Sequence, residues 1–109
     1  MEENTNLKNI FLTLSIMESD FSNPELNIQT LAKILHINRV QLSRDFATHY
    51  GVTPSDYLKN LRLQKAVKLL KTSNLQLNAI ASACGFNSGA YLGKVIASGT
   101  GKKSSEHRP

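Results

Sequence analysis

Tryptophan is absent from this 109-residue chain, cysteine occurs once, and aromatic residues make up only 6% of it. The single thiol, Cys84, cannot form an internal disulfide, and no Cys/His group has zinc-ligand spacing, so neither staple is expected to hold the fold. No apolar run approaches the roughly 20 residues that span a bilayer. The opening Met1-Glu2-Glu3 is acidic where a secretory leader would be basic, and a reducing cytoplasm is the expected setting. β-Branched residues are scattered, and no segment alternates polar with apolar over more than a few positions, which excludes a strand-rich architecture. Sets that carry catalysis are missing too: there is no paired-carboxylate cleft and no Ser/His/Asp or Cys/His arrangement. The run Gly99-Thr100-Gly101-Lys102-Lys103-Ser104 lacks the spacing and the preceding strand of a phosphate-binding loop. An enzyme is therefore not expected, nor a cofactor or metal.

What is present is a 40% hydrophobic composition, enough for one compact domain of this length. The charge is distributed unevenly. Residues 1–25 carry Glu2, Glu3, Glu18, Asp20 and Glu25 against Lys8, a net of −4, whereas residues 26–109 carry twelve bases against Asp45, Asp56 and Glu106, a net of +9. The basic body suits a polyanionic partner.

Helical periodicity runs through the chain. Leu7, Ile10, Phe11, Leu14 and Met17 recur at spacings of three and four, predicting an amphipathic helix from about Thr5 to Ser19. Asn27 can cap a second helix whose Ile28, Leu31, Ala32 and Leu35 face inward, ending near His36. Asn38 can cap a third with Leu42 and Phe46 inside, and Gly51 stands where a left-handed C-terminal residue is wanted. Thr53-Pro54 reads as a cap and first-turn proline opening a long helix to Thr72, with Leu63, Ala66, Val67 and Leu70 as its core stripe. Its Asn60, Gln64, Lys68 and Lys71, with Lys59 and Lys65 nearby, read as a solvated face. Leu77, Ile80 and Ala81 restart the pattern, Cys84-Gly85-Phe86-Asn87 turns it, and Ser88 to about Ser98 resumes it. The tail has room for one more short helix at most.

An internal repeat organises these elements. Leu31-Ala32 and Ile37-Asn38 recur as Ile80-Ala81 and Phe86-Asn87 at an offset of 49. Farther on the offset is 50: Leu42, Arg44, Phe46, Ala47, Gly51 and Asp56 match Leu92, Lys94, Ile96, Ala97, Gly101 and Glu106. Each copy has a small Ala four residues before the turn residue, His36 or Gly85, and a hydrophobic plug after it. That is what a close helix crossing requires, and it is the pattern of a helix-turn-helix. Such a motif places its second helix in a major groove, with the first turns toward base edges.

The chain resembles the C-terminal DNA-binding domain of the AraC/XylS family of bacterial transcription regulators. The matching stretches are Leu31 to Asn38, Leu42-Ser43-Arg44-Asp45-Phe46, Gly51 to Leu58, Leu61 to Ala66 and Ile80 to Phe86. The resemblance implies an all-α fold of seven helices: two homeodomain-like helix-turn-helix subdomains, residues 26–53 and 75–103, on a connecting helix, 54–72. Residues 1–25 would be an acidic leader and 104–109 a tail. The two recognition helices would enter adjacent major grooves about 34 Å apart. The implied partner is double-stranded DNA, with RNA polymerase as a further one. The ligand-sensing or dimerisation domain of many relatives has no room in residues 1–25.

Carried over by position, the first recognition helix offers Arg39, Val40, Ser43 and Arg44, and the second Ser88, Gly89, Ala90, Gly93 and Lys94. Arg44 suits a phosphate or a guanine edge, and Val40 a thymine methyl. The second helix departs from the family, with Gly and Ala in its early turns and with Ile96 and Thr100 where aromatics are usual. Phosphate anchoring by Lys94 is expected there rather than sequence readout. The competing expectation is a degenerate helical adaptor with little DNA affinity that binds polymerase or another regulator. Cys84 is expected as a buried packing residue. His36, His49 and His107 should lie at the surface or in turns, and Arg62 should lay its stem on the core and pair its head with Asp45 or Asp56.

Overall fold

The computed structural model describes the backbone of residues 2–109 and the side chains of residues 7–109, and among these no strand occurs. The helices are α1 (Glu2–Asp20), α2 (Ile28–Leu35), α3 (Arg39–Tyr50), α4 (Pro54–Thr72), α5 (Leu77–Ala83) and α6 (Gly89–Thr100), followed by a 3-10 turn at Ser104–His107. The expected seventh helix is thus a single 3-10 turn. Two compact units divide the chain: the residues up to Phe21 with Glu25–Lys59, and Ser22–Pro24 with Asn60–Pro109. The division falls within α4, between Lys59 and Asn60.

Side chains set most of the helix starts. Asn27 Oδ1 accepts the Thr30 amide at 3.0 Å while Thr30 Oγ1 accepts the Asn27 amide at 3.0 Å, a reciprocal box that satisfies two otherwise orphaned donors. Asn38 Oδ1 accepts the amides of Val40 (2.8 Å) and Gln41 (3.2 Å), and Thr53 Oγ1 that of Asp56 (3.2 Å). Ser88 Oγ does the same for Tyr91 at 3.0 Å. Each such cap is worth about 1 kcal/mol.

The repeat is visible in the backbone. In the first unit the Ile37 amide donates to the Ala32 carbonyl (3.0 Å) across His36, which has φ 54°. In the second, the Phe86 amide donates to the Ala81 carbonyl (2.9 Å) across Gly85, at φ 85°. α3 and α6 both have 12 residues and close on a left-handed glycine, Gly51 or Gly101, whose amide reaches back to Ala47 or Ala97. The extra residue of the second copy is Asn87, between the hydrophobic plug and the serine cap.

In the first unit Ile10, Met17, Leu31, Ala32, Leu42, Phe46 and Leu58 are buried, with the rings of Phe46, Tyr50 and Tyr57 mutually packed at 4.9 to 6.0 Å. The predicted α1 stripe is corrected here. Leu7 is 45% and Phe11 73% exposed, and the third inward position belongs to Thr13, fully buried with its hydroxyl donated to the Asn9 carbonyl at 2.8 Å. A polar residue is tolerated inside because its own helix satisfies it.

The second unit has a core of Ala66, Leu70, Ile80, Ala81, Cys84, Phe86, Leu92, Val95 and Ile96. Of the predicted α4 stripe, Ala66 and Leu70 are buried and Leu63 and Val67 half-buried. Cys84 is a free, buried thiol, as expected; burial pushes its pKa up, with Lys65 pulling the other way. Arg62 Nη2 donates to the Asn23 carbonyl at 2.8 Å, a partner beyond those the sequence suggested, and burial lowers its pKa. The tail is anchored. Arg108 donates from Nη1 to the Ser73 carbonyl (2.8 Å) and from Nη2 to that of Leu75, and His107 Nε2 lies 2.9 Å from Thr100 Oγ1. Thr100 Oγ1 also lies 2.7 Å from the Ile96 carbonyl, to which its hydroxyl can donate.

Candidate nucleic-acid interface

In α3, Leu42 and Phe46 turn inward, so helical geometry turns Val40, Gln41 and Arg44 outward. All three are exposed, Val40 by 58%. Arg39, the first residue of α3, is exposed as well, and Ser43 is half-buried at the edge of the face. Gln41 is held along the helix by donating from Nε2 to Asp45 Oδ1 at 2.9 Å, while Asp45 Oδ2 is buried without a hydrogen-bond partner. The structure therefore brings Val40 and Arg44 onto one outward face, with Arg39 at its entrance.

α6 repeats this register. Leu92, Val95 and Ile96 are buried, and Ala90, Tyr91 and Lys94 are exposed at the positions of Val40, Gln41 and Arg44. Two of the expected residues have other duties. Ser88 spends its hydroxyl on the cap. Gly89 is buried against α5: its amide donates to Asn78 Oδ1 at 3.0 Å, and a β-carbon there would collide with that oxygen and stand 3.0 Å from the Asn78 nitrogen. It serves close helix packing. Gly93 is half-buried, with open contact distance to Leu77. Tyr91 is the residue that sequence reasoning missed. It is 50% exposed, its ring packs 6.2 Å from that of Phe86, and only its helical phase relative to Leu92 could have revealed it.

At the turn of the first unit, Gln29, Ala32, Lys33, His36, Ile37 and Arg39 surround an open groove of about 630 Å³. No group of His, Cys, Asp and Glu suited to a metal occurs among the described residues, and no helix there is long and apolar enough to cross a membrane.

Paired three-helix units, each with a capped outward helix after a tight left-handed turn, define a helix-turn-helix DNA-binding domain. A family model described as a helix-turn-helix domain matches residues 31–108. The chain is similar to the HTH-type transcriptional regulator CdhR of Pseudomonas aeruginosa, at 38% identity over 71 residues, which is 65% of this chain and 21% of CdhR. It is similar in structure to an AraC-type DNA-binding domain protein of Chromobacterium violaceum, with a TM-score of 0.81 and 28% identity over 93% of this chain and 89% of that one. The DNA-binding domain of AdpA, solved in complex with a target DNA, shares the fold at a TM-score of 0.81 and 23% identity, covering 90% of this chain and 87% of that one. The chain belongs to the AraC/XylS family of transcription regulators, as the sequence resemblance implied. Within that family it corresponds to the DNA-binding domain, and it spans about a fifth of the length of CdhR.

Proposed function

We propose that this domain binds duplex DNA sequence-specifically, α3 reading base edges in one major groove and α6 holding the backbone at the next. The observation that carries the reading is the outward face of α3, where Val40 and Arg44 stand opposite the buried Leu42 and Phe46. Arg44 contacts a phosphate or guanine, Val40 a thymine methyl, and Arg39 and Ser43 flank them. On α6, Lys94 anchors a phosphate, while Ala90 and Ser88 line the approach of the backbone. AdpA, whose similar domain was solved with a target DNA, supports the assignment.

The competing reading is an adaptor that binds polymerase or another regulator. It draws on α6, where Gly89 is buried and Ala90 is small, so that one copy is poor in side chains that read bases. The dependence of duplex affinity on salt separates the two. Binding through several phosphates gives a steep fall with salt, easing by about one unit of slope when Arg44 or Lys94 becomes Ala. A flat dependence with weak binding favours the adaptor.

A further inference from the structure

Beside its buried face, α1 carries a second line of side chains. Leu7, Phe11 and Leu14 follow one another at spacings of four and three, and Glu18 continues the line four residues on, which sets all four on one side of the helix. Leu7, Phe11 and Glu18 are exposed and Leu14 is half-buried. α1 packs on α2 and α3, and neither covers this side, so a phenyl ring and a leucine stand in water on the acidic segment of the chain. An apolar row of that kind, ending in an acid, is the form in which one helix enters the groove of a partner.

The second unit holds a groove of complementary character, an open space of about 630 Å³ between α4 and the end of α6. Leu63 and Val67, the half-buried members of the α4 stripe, floor it, Gly99 and Thr100 wall it, and Lys68 and Lys71 stand exposed at its rim. A β-carbon at position 99 would lie 2.6 Å from Leu63 Cδ2, so Gly99 is what leaves Leu63 its place in the floor. No described acid lines the groove.

The two surfaces match in spacing as well as in sign. Glu18 follows Phe11 by seven residues and Lys71 follows Leu63 by eight, about 10 to 12 Å along a helix axis in both cases. We propose that the α4 groove receives α1 of a second copy of this chain, laid parallel to α4, with Phe11 seated between Leu63 and Val67 and Glu18 beside Lys71. One copy gives the helix and the other the groove, so the contact joins unlike surfaces of identical chains. A single helix in an open groove buries less than the roughly 1,200 Å² of a standard interface, and the association is therefore weak. The proposal stands apart from the duplex-binding reading and uses none of the α3 face.

The test is sedimentation equilibrium of the chain without DNA, from about 10 μM to about 1 mM at low ionic strength, where weak complexes of this class populate. The weight-average mass of the wild type should rise above that of the monomer across this range. Phe11→Ser, expected to keep its thermal melt because the ring is already exposed, should weaken association by roughly tenfold or more. Glu18→Lys and Lys71→Glu should each weaken it by about fivefold alone, by turning attraction into repulsion. An equimolar mixture of these two variants should recover association, since opposite charges then meet again across copies. A monomer at every concentration overturns the proposal, as does association undiminished in Phe11→Ser. A mixture no stronger than either charge variant alone overturns the pairing of Glu18 with Lys71 and with it the parallel docking. Duplex binding, measured alongside, stands or falls separately.

Discussion

Asn78 Oδ1 accepts the amide of Gly89 at 3.0 Å, tying the second residue of α5 to the first of α6 and leaving no room for a β-carbon at Gly89. At Gly93, one turn on, the nearest atom to such a carbon is Leu77 Cδ2 at 3.6 Å, an ordinary contact. Gly89 and Gly93 should therefore respond to alanine with opposite signs. Gly89→Ala must displace the Asn78 carboxamide and orphan a buried donor, costing about 1 to 3 kcal/mol. Gly93→Ala should gain about 0.5 to 1 kcal/mol from helix propensity. Urea midpoints of both variants check this, and equal signs would refute the assignment of Gly89 to packing.

Arg108 holds two backbone carbonyls, those of Ser73 and Leu75. Hydrogen bonds from a charged donor contribute about 1.5 to 3 kcal/mol, so Arg108→Ala should lower the denaturation midpoint of the second unit. Arg108→Lys should recover only part of the loss, because an ammonium lacks the planar fork that spans both acceptors. Full rescue by lysine would show that charge alone matters.

The two faces of α1 should differ sharply in cost. Met17 is fully buried, and Met17→Ala should destabilise by about 2 to 5 kcal/mol. Phe11→Ser removes a ring already in water and should change stability by less than about 0.5 kcal/mol. Thermal melts of both variants decide between this arrangement and the single stripe that periodicity predicts.

Burial raises the pKa of Cys84 above the ordinary thiol range. A folded-state pKa raised above the unfolded value gives stability that is present below the unfolded pKa and lost as pH rises through the folded one. Stability should thus fall on the alkaline side, and Cys84→Ser or Cys84→Ala should flatten that limb. Thiol-reactive reagents should label the native chain slowly and the urea-unfolded chain at once.

Arg44→Ala should reduce discrimination among duplex sequences much more than Lys94→Ala, with each lowering the salt slope by about one unit. Selection from random DNA followed by footprinting on the winning site supplies the measurement. Equal loss of discrimination from both changes would mean that α6 reads bases as α3 does.

Much of this architecture was legible in the residues because its determinants are local. Asn27, Asn38, Thr53 and Ser88 cap where their oxygens can reach the next turn's amides, and Gly51 closes its helix in the one backbone region that favours glycine. Repetition carried the all-α fold and its helix-turn-helix pattern, because two matching patterns constrain each other. The side of α1 was not legible: Leu7, Phe11 and Met17 all obey helical spacing, and only contacts with α2 and α3 choose among them, burying Thr13. Gly89 hid its packing role because a residue without a side chain leaves no trace in a hydrophobic pattern. Tyr91 escaped notice for the reverse reason, since an aromatic beside Leu92 reads as core until the phase of the helix is known. The carbonyl of Asn23 that Arg62 holds, and those of Ser73 and Leu75 that Arg108 holds, are backbone groups, which every residue possesses and no sequence advertises.

The matched ends of α3 and α6 have a practical side. Both helices begin after a side-chain cap, run for 12 residues and stop at a left-handed glycine, so their registers superimpose residue for residue. Transplanting the outward residues Val40, Gln41 and Arg44 onto positions 90, 91 and 94 alters no cap, no buried position and no turn. The scaffold is in that sense a pair of matched sockets, and three substitutions would give α6 the Val40, Gln41 and Arg44 pattern of α3, with Gly89 still barred from carrying the counterpart of Arg39.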